Sequence, residues 1–197
     1  MKKLRIYCDA GSYNNGHKDK DKPMYGSYGC VIVAEDNRII YTFADWFDEI
    51  TNNQGELFGF IKGYTEFLKR YKSKEKYQIE VISDSQYLIN GINKYLPGWK
   101  KKRWRNSTGD EVKNKNMWLI IDKLLVCEPN IELTFTWQRG HKGKSVSLEE
   151  NPNIYFNEMV DSLATEQIDF CTSDKNTYIS ANFNDVLNDI AKNLKIK

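Results

Sequence analysis

Leu4-Arg5-Ile6-Tyr7-Cys8-Asp9-Ala10-Gly11-Ser12 alternates apolar and mixed residues and then breaks at an acidic, glycine-bearing turn. That is the pattern of a strand that ends in a carboxylate. A second stretch, Gln78-Ile79-Glu80-Val81-Ile82-Ser83, reads as a buried strand and runs straight into Asp84. Two strands ending in Asp set the terms for everything around them. After the first comes a polar loop over residues 14–23, too charged and breaker-rich for a regular element, and then a strand over 29–34. The turn Glu35-Asp36-Asn37 and the β-rich run 39–47 complete an antiparallel three-strand meander.

From Glu56 the apolar period becomes helical, with Leu57, Phe60, Ile61, Tyr64, Phe67 and Leu68 on one face. Beyond Asp84 a helix is expected over 85–96 with Leu88, Ile89, Ile92 and Tyr95 inward, and another carrying Trp118, Ile121, Leu124 and Leu125. Ile131, Leu133, Phe135 and Trp137 alternate as a fifth strand. The loop Gly140-His141-Lys142-Gly143 leads to a helix with Met159, Val160, Leu163 and Ala164. The sum is an α/β fold with a mixed five-stranded sheet, three antiparallel strands plus two parallel, flanked by helices. Past residue 170 a polar linker precedes Phe183, Val186, Leu187, Ile190 and Leu194, spaced as an amphipathic helix. The division expected is a domain over 1–170 and a linker with a helical tail over 171–197.

A chain of 197 residues is long enough for one well-buried core. No apolar run approaches the roughly 18 residues a membrane span needs, and Met1-Lys2-Lys3-Leu4 lacks a signal-peptide stretch. A soluble, cytoplasmic protein without membrane association is expected. Cys8, Cys30, Cys127 and Cys171 form no Cys-x-x-Cys pair and read as reduced core thiols. The net charge of +2 leaves any polyanionic partner to local clustering, of which Trp99-Lys100-Lys101-Lys102-Arg103-Trp104-Arg105 is the example.

Four carboxylates stand where elements end or meet: Asp9, Glu56, Asp84 and Asp161. Ligands of open α/β sheets gather at strand carboxyl ends, so Asp9 and Asp84 on neighbouring strands can face one site. Clustered carboxylates repel unless a cation neutralises them, and an all-oxygen set selects Mg²⁺ or Mn²⁺. Each also has an ordinary explanation. Asn53 and Glu56 fit a helix N-cap with its N3 carboxylate, Asp84 suits a cap, Asp9 a turn and Asp161 a solvated helix face.

Their contexts resemble a known family. Asp9-Ala10-Gly11-Ser12, Thr51-Asn52-Asn53-Gln54-Gly55-Glu56-Leu57, Ser83-Asp84-Ser85-Gln86-Tyr87, Gly91-Ile92 with Gly98-Trp99 through Trp104, Val112-Lys113-Asn114, Trp137-Gln138-Arg139-Gly140-His141 and Asn157-Glu158-Met159-Val160-Asp161 occur in the order of bacterial-type ribonuclease H. The resemblance spans about residues 3–168. It implies an endoribonuclease that cuts the RNA strand of an RNA–DNA hybrid and leaves 5′-phosphate and 3′-hydroxyl ends. The sequence does not fix the oligomeric state, and a monomer is the expectation.

It further implies that Asp9, Glu56, Asp84 and Asp161 ligate two Mg²⁺ ions, with Mn²⁺ as a substitute, and that His141 is the mobile-loop residue that moves a proton or helps product leave. Residues 94–105, with Trp99, Lys100, Lys101, Lys102 and Trp104, resemble the substrate-binding protrusion, although both tryptophans also suit a partly buried packing role. Thr51 and Asn114 match a grip on a DNA phosphate. Asn52, Asn53 and Gln86 match positions that read the minor groove, where only RNA offers 2′-hydroxyls. Gly11 and Ser12 belong to the same surface, in a turn one residue longer than the usual Asp-Gly-Ser, with Asn14 or Asn15 as possible additions. Two other readings stay open: a nuclease of the same fold acting on DNA, and a non-catalytic hybrid-binding module.

Overall fold

The computed structural model describes residues 1–71, 74–140, 146–173 and 180–196. Strands β1 (Lys2–Asp9), β3 (Tyr25–Ala34), β4 (Ile39–Asp48), β5 (Tyr77–Ser83) and β6 (Ile131–Trp137) build the mixed sheet that the sequence implies. β3 lies antiparallel to β1 on one side and to β4 on the other, while β1, β5 and β6 run parallel. A sixth strand, β2 (Ser12–Tyr13), adds a two-residue pairing to the start of β3. Two residues are too few to show alternation, so no sequence period announces it.

β1 and β5 are buried on both faces. Leu4, Ile6 and Cys8 join the larger core beneath the helices α1 (Asn52–Arg70), α2 (Gln86–Asn90) and α4 (Lys115–Leu124). Tyr7 faces the other way and packs with Val31, Val33 and Ile82 against Phe156 and Val160 of α5 (Pro152–Thr172). The parallel pair therefore ends between two helical layers, and Asp9 and Asp84 end there with it. All four cysteines are free thiols, Cys8, Cys30 and Cys171 of them buried.

α1 begins earlier than the apolar period suggests. Its N-cap is Thr51, whose hydroxyl accepts from the Gln54 amide at 3.4 Å while Gln54 Oε1 accepts from the Thr51 amide at 2.8 Å. The reading of Asn53 as cap and Glu56 as N3 is thus displaced by two residues, because glutamine closes a capping box as well as glutamate does. Glu56 is released from the helix end. Along α1, Gly55, Gly59 and Gly63 lie against Ser27, Cys8 and Cys30, where an added Cβ would collide with or crowd strand atoms. The helix axis can sit this close to β1 and β3 only because those positions lack side chains.

After Asp84 it is Ser85 that caps α2, accepting from the Leu88 amide at 3.1 Å, so the capping role considered for Asp84 is not the one it has. α2 passes through a π turn at Gly91–Tyr95 into α3 (Leu96–Lys101). The wider turn rotates the helix face by a residue's worth of angle, and Tyr95, expected inward, is 52% exposed.

The tail folds as α6 (Phe183–Asn193). Phe183 packs edge-on to Phe47 and Phe58 at 5.1 and 5.3 Å, and Leu187 is buried beside it. Ser180 donates to the Asp48 carboxylate at 2.8 Å, tying the start of the tail to the end of β4. Truncating a ring so fully enclosed removes transfer energy and leaves a cavity. Phe183→Ala should lower stability by about 3 kcal/mol, read as a fall in the urea midpoint at unchanged slope.

Candidate active site

Asp9 is the last residue of β1, paired across the sheet with Gly29 and only 6% exposed. Its Oδ1 accepts from the Ala10 amide at 2.7 Å, so the turn role foreseen for it is present. Asp84 follows the last residue of β5, the parallel neighbour of β1, and the two carboxyl groups come within hydrogen-bonding reach of each other. The Trp137 indole donates to the Asp84 carbonyl at 2.9 Å, fixing the backbone on that side. Gly140 then passes so near that a Cβ there would stand 2.6 Å from Asp84 Oδ2.

Asp161 arrives from the opposite layer. Ser27 Oγ donates to the Ala164 carbonyl at 2.6 Å, and Gly29 lies under the Val160 carbonyl, where a side chain would collide. These contacts seat α5 on the sheet and bring the exposed Asp161 close enough for its charge to act on Asp9 and Asp84. Glu56 comes from the second turn of α1. Asn52 Nδ2 donates to its Oε1 at 3.0 Å, and the Ser85 hydroxyl donates to its Oε2.

Burial pushes the Asp9 carboxyl up to about 8, and the charge of Asp84 adds to this, with smaller contributions from Asp161 and Glu56. Glu56 is pushed up to about 7 by burial, against the opposing hydrogen bonds of Ser85 and Asn52. Asp84 is raised by burial and by Asp161. No Lys, Arg or His among the described residues offsets these charges. The donor set is all oxygen and suits a hard divalent cation. Among the described residues, however, no three His, Cys, Asp or Glu side chains are closed into a finished metal cage. Glu56 is held by Ser85 and Asn52 instead. The chemistry of the cluster fits Mg²⁺, and the side chains stand short of full convergence.

Residues 1–169 match the family described as RNase H. The chain belongs to the ribonuclease H family. It is 31% identical over 170 residues to the ribonuclease H of Clostridium botulinum (strain Hall), covering 86% of this chain and 97% of that one. It is 36% identical over 171 residues to the ribonuclease H of Syntrophotalea carbinolica, with 86% and 94% covered. Among solved structures, LC11-RNase H1 in complex with an RNA/DNA hybrid shares the fold, with a TM-score of 0.57 at 19% identity over 86% of this chain and 99% of the other. As a ribonuclease H the protein is a nuclease and a hydrolase.

The other ribonuclease H positions read from the sequence fall out unevenly. His141 lies outside the described residues. Asn53 and Gln86 are exposed in the first turns of α1 and α2, free to face a ligand. Asn52 is turned onto Glu56, so its amide orients a carboxylate as the protein stands. The Thr51 hydroxyl serves its own helix cap, and Asn114, in a left-handed conformation with φ 57°, donates to the Tyr87 hydroxyl at 3.2 Å. Gly11 uses its amide on Ser27 Oγ at 3.1 Å and its carbonyl on the Ser27 amide at 2.9 Å, which removes that N–H from ligand readout. Ser12 is half-buried in β2. Asn14 closes its own loop through Asp19, Lys22 and Pro23, whereas Asn15 accepts from the Asn52 amide at 3.3 Å.

In the basic segment, Trp99 packs edge-on to Trp118 with ring centroids 5.2 Å apart and Trp104 packs on the core, so both tryptophans have the packing role as well. Lys100 is bound to Asp122 at 2.7 Å. Lys101 and Lys102 are exposed and carry the free charge. Sequence reasoning gave no role to Ser85, Ser27 or Gly140. Ser85 was visible as the cap residue in Ser-x-x-Leu, but its second bond, to Glu56, joins residues 29 positions apart and has no local signal.

The raised Asp9 group fixes a sign. Unfolded, it ionises near 4; folded and cation-free, it keeps its proton until about 8. Its contribution to stability is full below pH 4 and is lost as pH rises to 8. Asp9→Asn should therefore stabilise the cation-free protein by about 1–4 kcal/mol at pH 8 and leave it nearly unchanged at pH 4, measured by thermal melts in EDTA. Mg²⁺ should raise the melting temperature of the wild type at pH 8 and not that of the variant.

Proposed function

We propose that this protein hydrolyses the RNA strand of RNA–DNA hybrids at the cleft where Asp9, Asp84 and Asp161 meet, leaving 5′-phosphate and 3′-hydroxyl ends. The observation that carries the reading is the crowding of carboxylates around the buried Asp9, with no cation among the described residues to offset them. Such an arrangement is unfavourable by itself and becomes useful when a divalent ion is held there. Asp9, Asp84 and Asp161 would hold it, with Glu56 joining once Ser85 and Asn52 release it. Two bound Mg²⁺ ions, or Mn²⁺ in their place, would supply Lewis acidity at the scissile phosphate.

The chain's own groups do the rest. Trp137 holds the Asp84 backbone still, and Asn52 with Ser85 holds Glu56 beside the cluster until an ion draws it in. Asn53 and Gln86, exposed on helix first turns at the cleft, are suited to hydrogen-bonding 2′-hydroxyls in a minor groove, which only the RNA strand carries. Lys101 and Lys102 are suited to the phosphates of the other strand, with Trp99 and Trp104 as the stiff base beneath them. LC11-RNase H1 binds an RNA/DNA hybrid, in keeping with that substrate class. His141 stands in this proposal as the proton-handling residue on sequence grounds alone. The family match ends at residue 169, which supports taking 1–170 as the catalytic unit and the remainder as an added tail. No helix among the described residues is long and apolar enough to cross a membrane; that and four free thiols suit the cytoplasm.

The test is cleavage of an end-labelled hybrid in Mg²⁺, beside matched double-stranded RNA and DNA. Only the RNA strand of the hybrid should be cut, and Asp84→Asn should lower the rate by about 10²–10³-fold or more while hybrid binding persists. Cutting of all-DNA duplex would give the site to a DNA nuclease. Binding without cutting in either metal would make the protein a hybrid-binding module.

A further inference from the structure

The family match ends at residue 169, ahead of α6. A side chain of that helix nevertheless grips both ends of a segment that belongs to the site. Phe183 sets its ring against Phe47 at 5.1 Å and against Phe58 at 5.3 Å. Between those two residues lie Thr51, Asn52, Asn53 and Glu56. Phe47 and Phe58 also meet each other, at 5.3 Å, and both meet Tyr28, so Phe183 is the fourth ring of a buried cluster. Beside it, Ser180 Oγ accepts from the Asp48 amide at 3.3 Å and donates to the Asp48 carboxylate at 2.8 Å. Among the described strands β4 pairs only with β3, so its far edge has no strand to hold it. Past Asp48 the chain leaves the sheet through Glu49, in a left-handed conformation at φ 61°, and through Ile50, buried against Gly26. A non-glycine residue keeps that backbone shape where its surroundings over-determine it. The Glu49 amide on the Met24 carbonyl at 3.0 Å is one restraint, and the tail supplies the next.

We infer that Phe183 and Ser180 are positioning residues: the tail straps the end of β4 to the start of α1 and thereby sets where Thr51, Asn52, Asn53 and Glu56 stand. The effect on cleavage rests on the ribonuclease reading given above; the strap itself is a property of the protein without substrate or ion. Its physical ground is leverage. Glu56 is two residues from one gripped end, and the first-turn asparagines lie between the two. Moving either end shifts these groups relative to Asp9 and Asp84, which the parallel strands hold independently. The glycines of α1 set its distance from the sheet, and the strap sets the turn that leads into it. Misplacement by about 1 Å, caused far from the chemistry, can cost about 100-fold in rate. The rest of α6 keeps the strap seated, with Leu187 buried and Val186, Ile190, Leu194 and Ile196 packed on the same core.

The experiment uses the full chain as wild type, S180A, F183A, F183L and L124A. Leu124 is fully buried at the last position of α4 and serves as a matched core truncation. Hydrogen exchange of the amides of residues 49–57 is read first, without ion or substrate, at a temperature where every variant is folded. Steady-state cleavage of the hybrid in saturating Mg²⁺ follows. S180A and F183A should exchange about 10-fold or more faster over that segment, and F183A should lower kcat by about 10–100-fold. S180A removes two hydrogen bonds at the surface, so it stays readable if F183A folds poorly. F183L keeps an apolar grip and should restore most of the rate. L124A should lower the melting temperature as F183A does, yet leave the segment's exchange and the rate per folded molecule within about threefold of wild type. Unchanged exchange over 49–57 in both S180A and F183A overturns the inference. So do equal effects of L124A and F183A on segment and rate, which would make α6 added core and nothing more. A wild type that does not cut the hybrid overturns the ribonuclease reading alone, since the exchange measurement still decides the strap.

Discussion

The fold is organised around one unfavourable act, the gathering of carboxylates at the low-dielectric end of two parallel strands. Carboxylates in such a place lose their hydration and, secondarily, repel one another, and both effects displace Asp9 and Glu56 upward. Among the described residues no cation relieves them, and the hydrogen bonds of Ala10 to Asp9 and of Ser85 and Asn52 to Glu56 offset the rise only in part. The remaining structure must therefore supply the force that holds them in place, and it does so by packing. Two helical layers are clamped onto the sheet from opposite sides, each delivering one acid that it could not deliver from a greater distance.

The clamping depends on missing side chains as much as on those present. α1 reaches the strands through glycines, and α5 is drawn down by a serine-to-carbonyl hydrogen bond between residues 137 positions apart. Close backbone approach shortens the span between the acids. A Cβ at Gly29 or Gly55 would push its helix outward and separate the very groups whose proximity matters. The energy that opposes the repulsion is the burial of the two cores, in which Tyr7, Phe156 and Val160 lie on one face and Ile6, Phe60 and Trp118 on the other.

This division explains what the sequence disclosed. Asp9 and Asp84 were legible because each ends a buried strand, and strand ends are announced by a period of two that stops. The sheet, the long helices and the tail were legible for the same periodic reason. What escaped was set by geometry across the fold. Tyr95 was misassigned because one π turn shifts the helix face without any change in composition. The cap of α1 slid by two residues because Thr51 and Asn53 both suit that role and only the Gln54 side chain chooses between them. Lys100 looked like a free cation until Asp122, 22 residues on, was folded against it. Asp161, in particular, has no local sign of its purpose. Its meaning lies in Ser27 and Gly29.

The glycine face of α1 has a dynamic corollary. A helix fitted against strand backbone with no intervening side chains cannot slide or tilt independently, since interiors at this density deform as a unit. β1 and α1 then belong to one cooperative block, whose amide hydrogens exchange with solvent only when the whole core opens. Asp9 and Glu56 ride on that block. Asp84 directly follows β5, a core strand between β1 and β6, and its backbone is held by the Trp137 indole, whereas Asp161 sits on the exposed side of α5. Three of the four acids are thus anchored to the slowest-opening part of the molecule, and the fourth rides on a helix seated over the sheet from the other side. Relative displacement of the acids is then expected at Asp161.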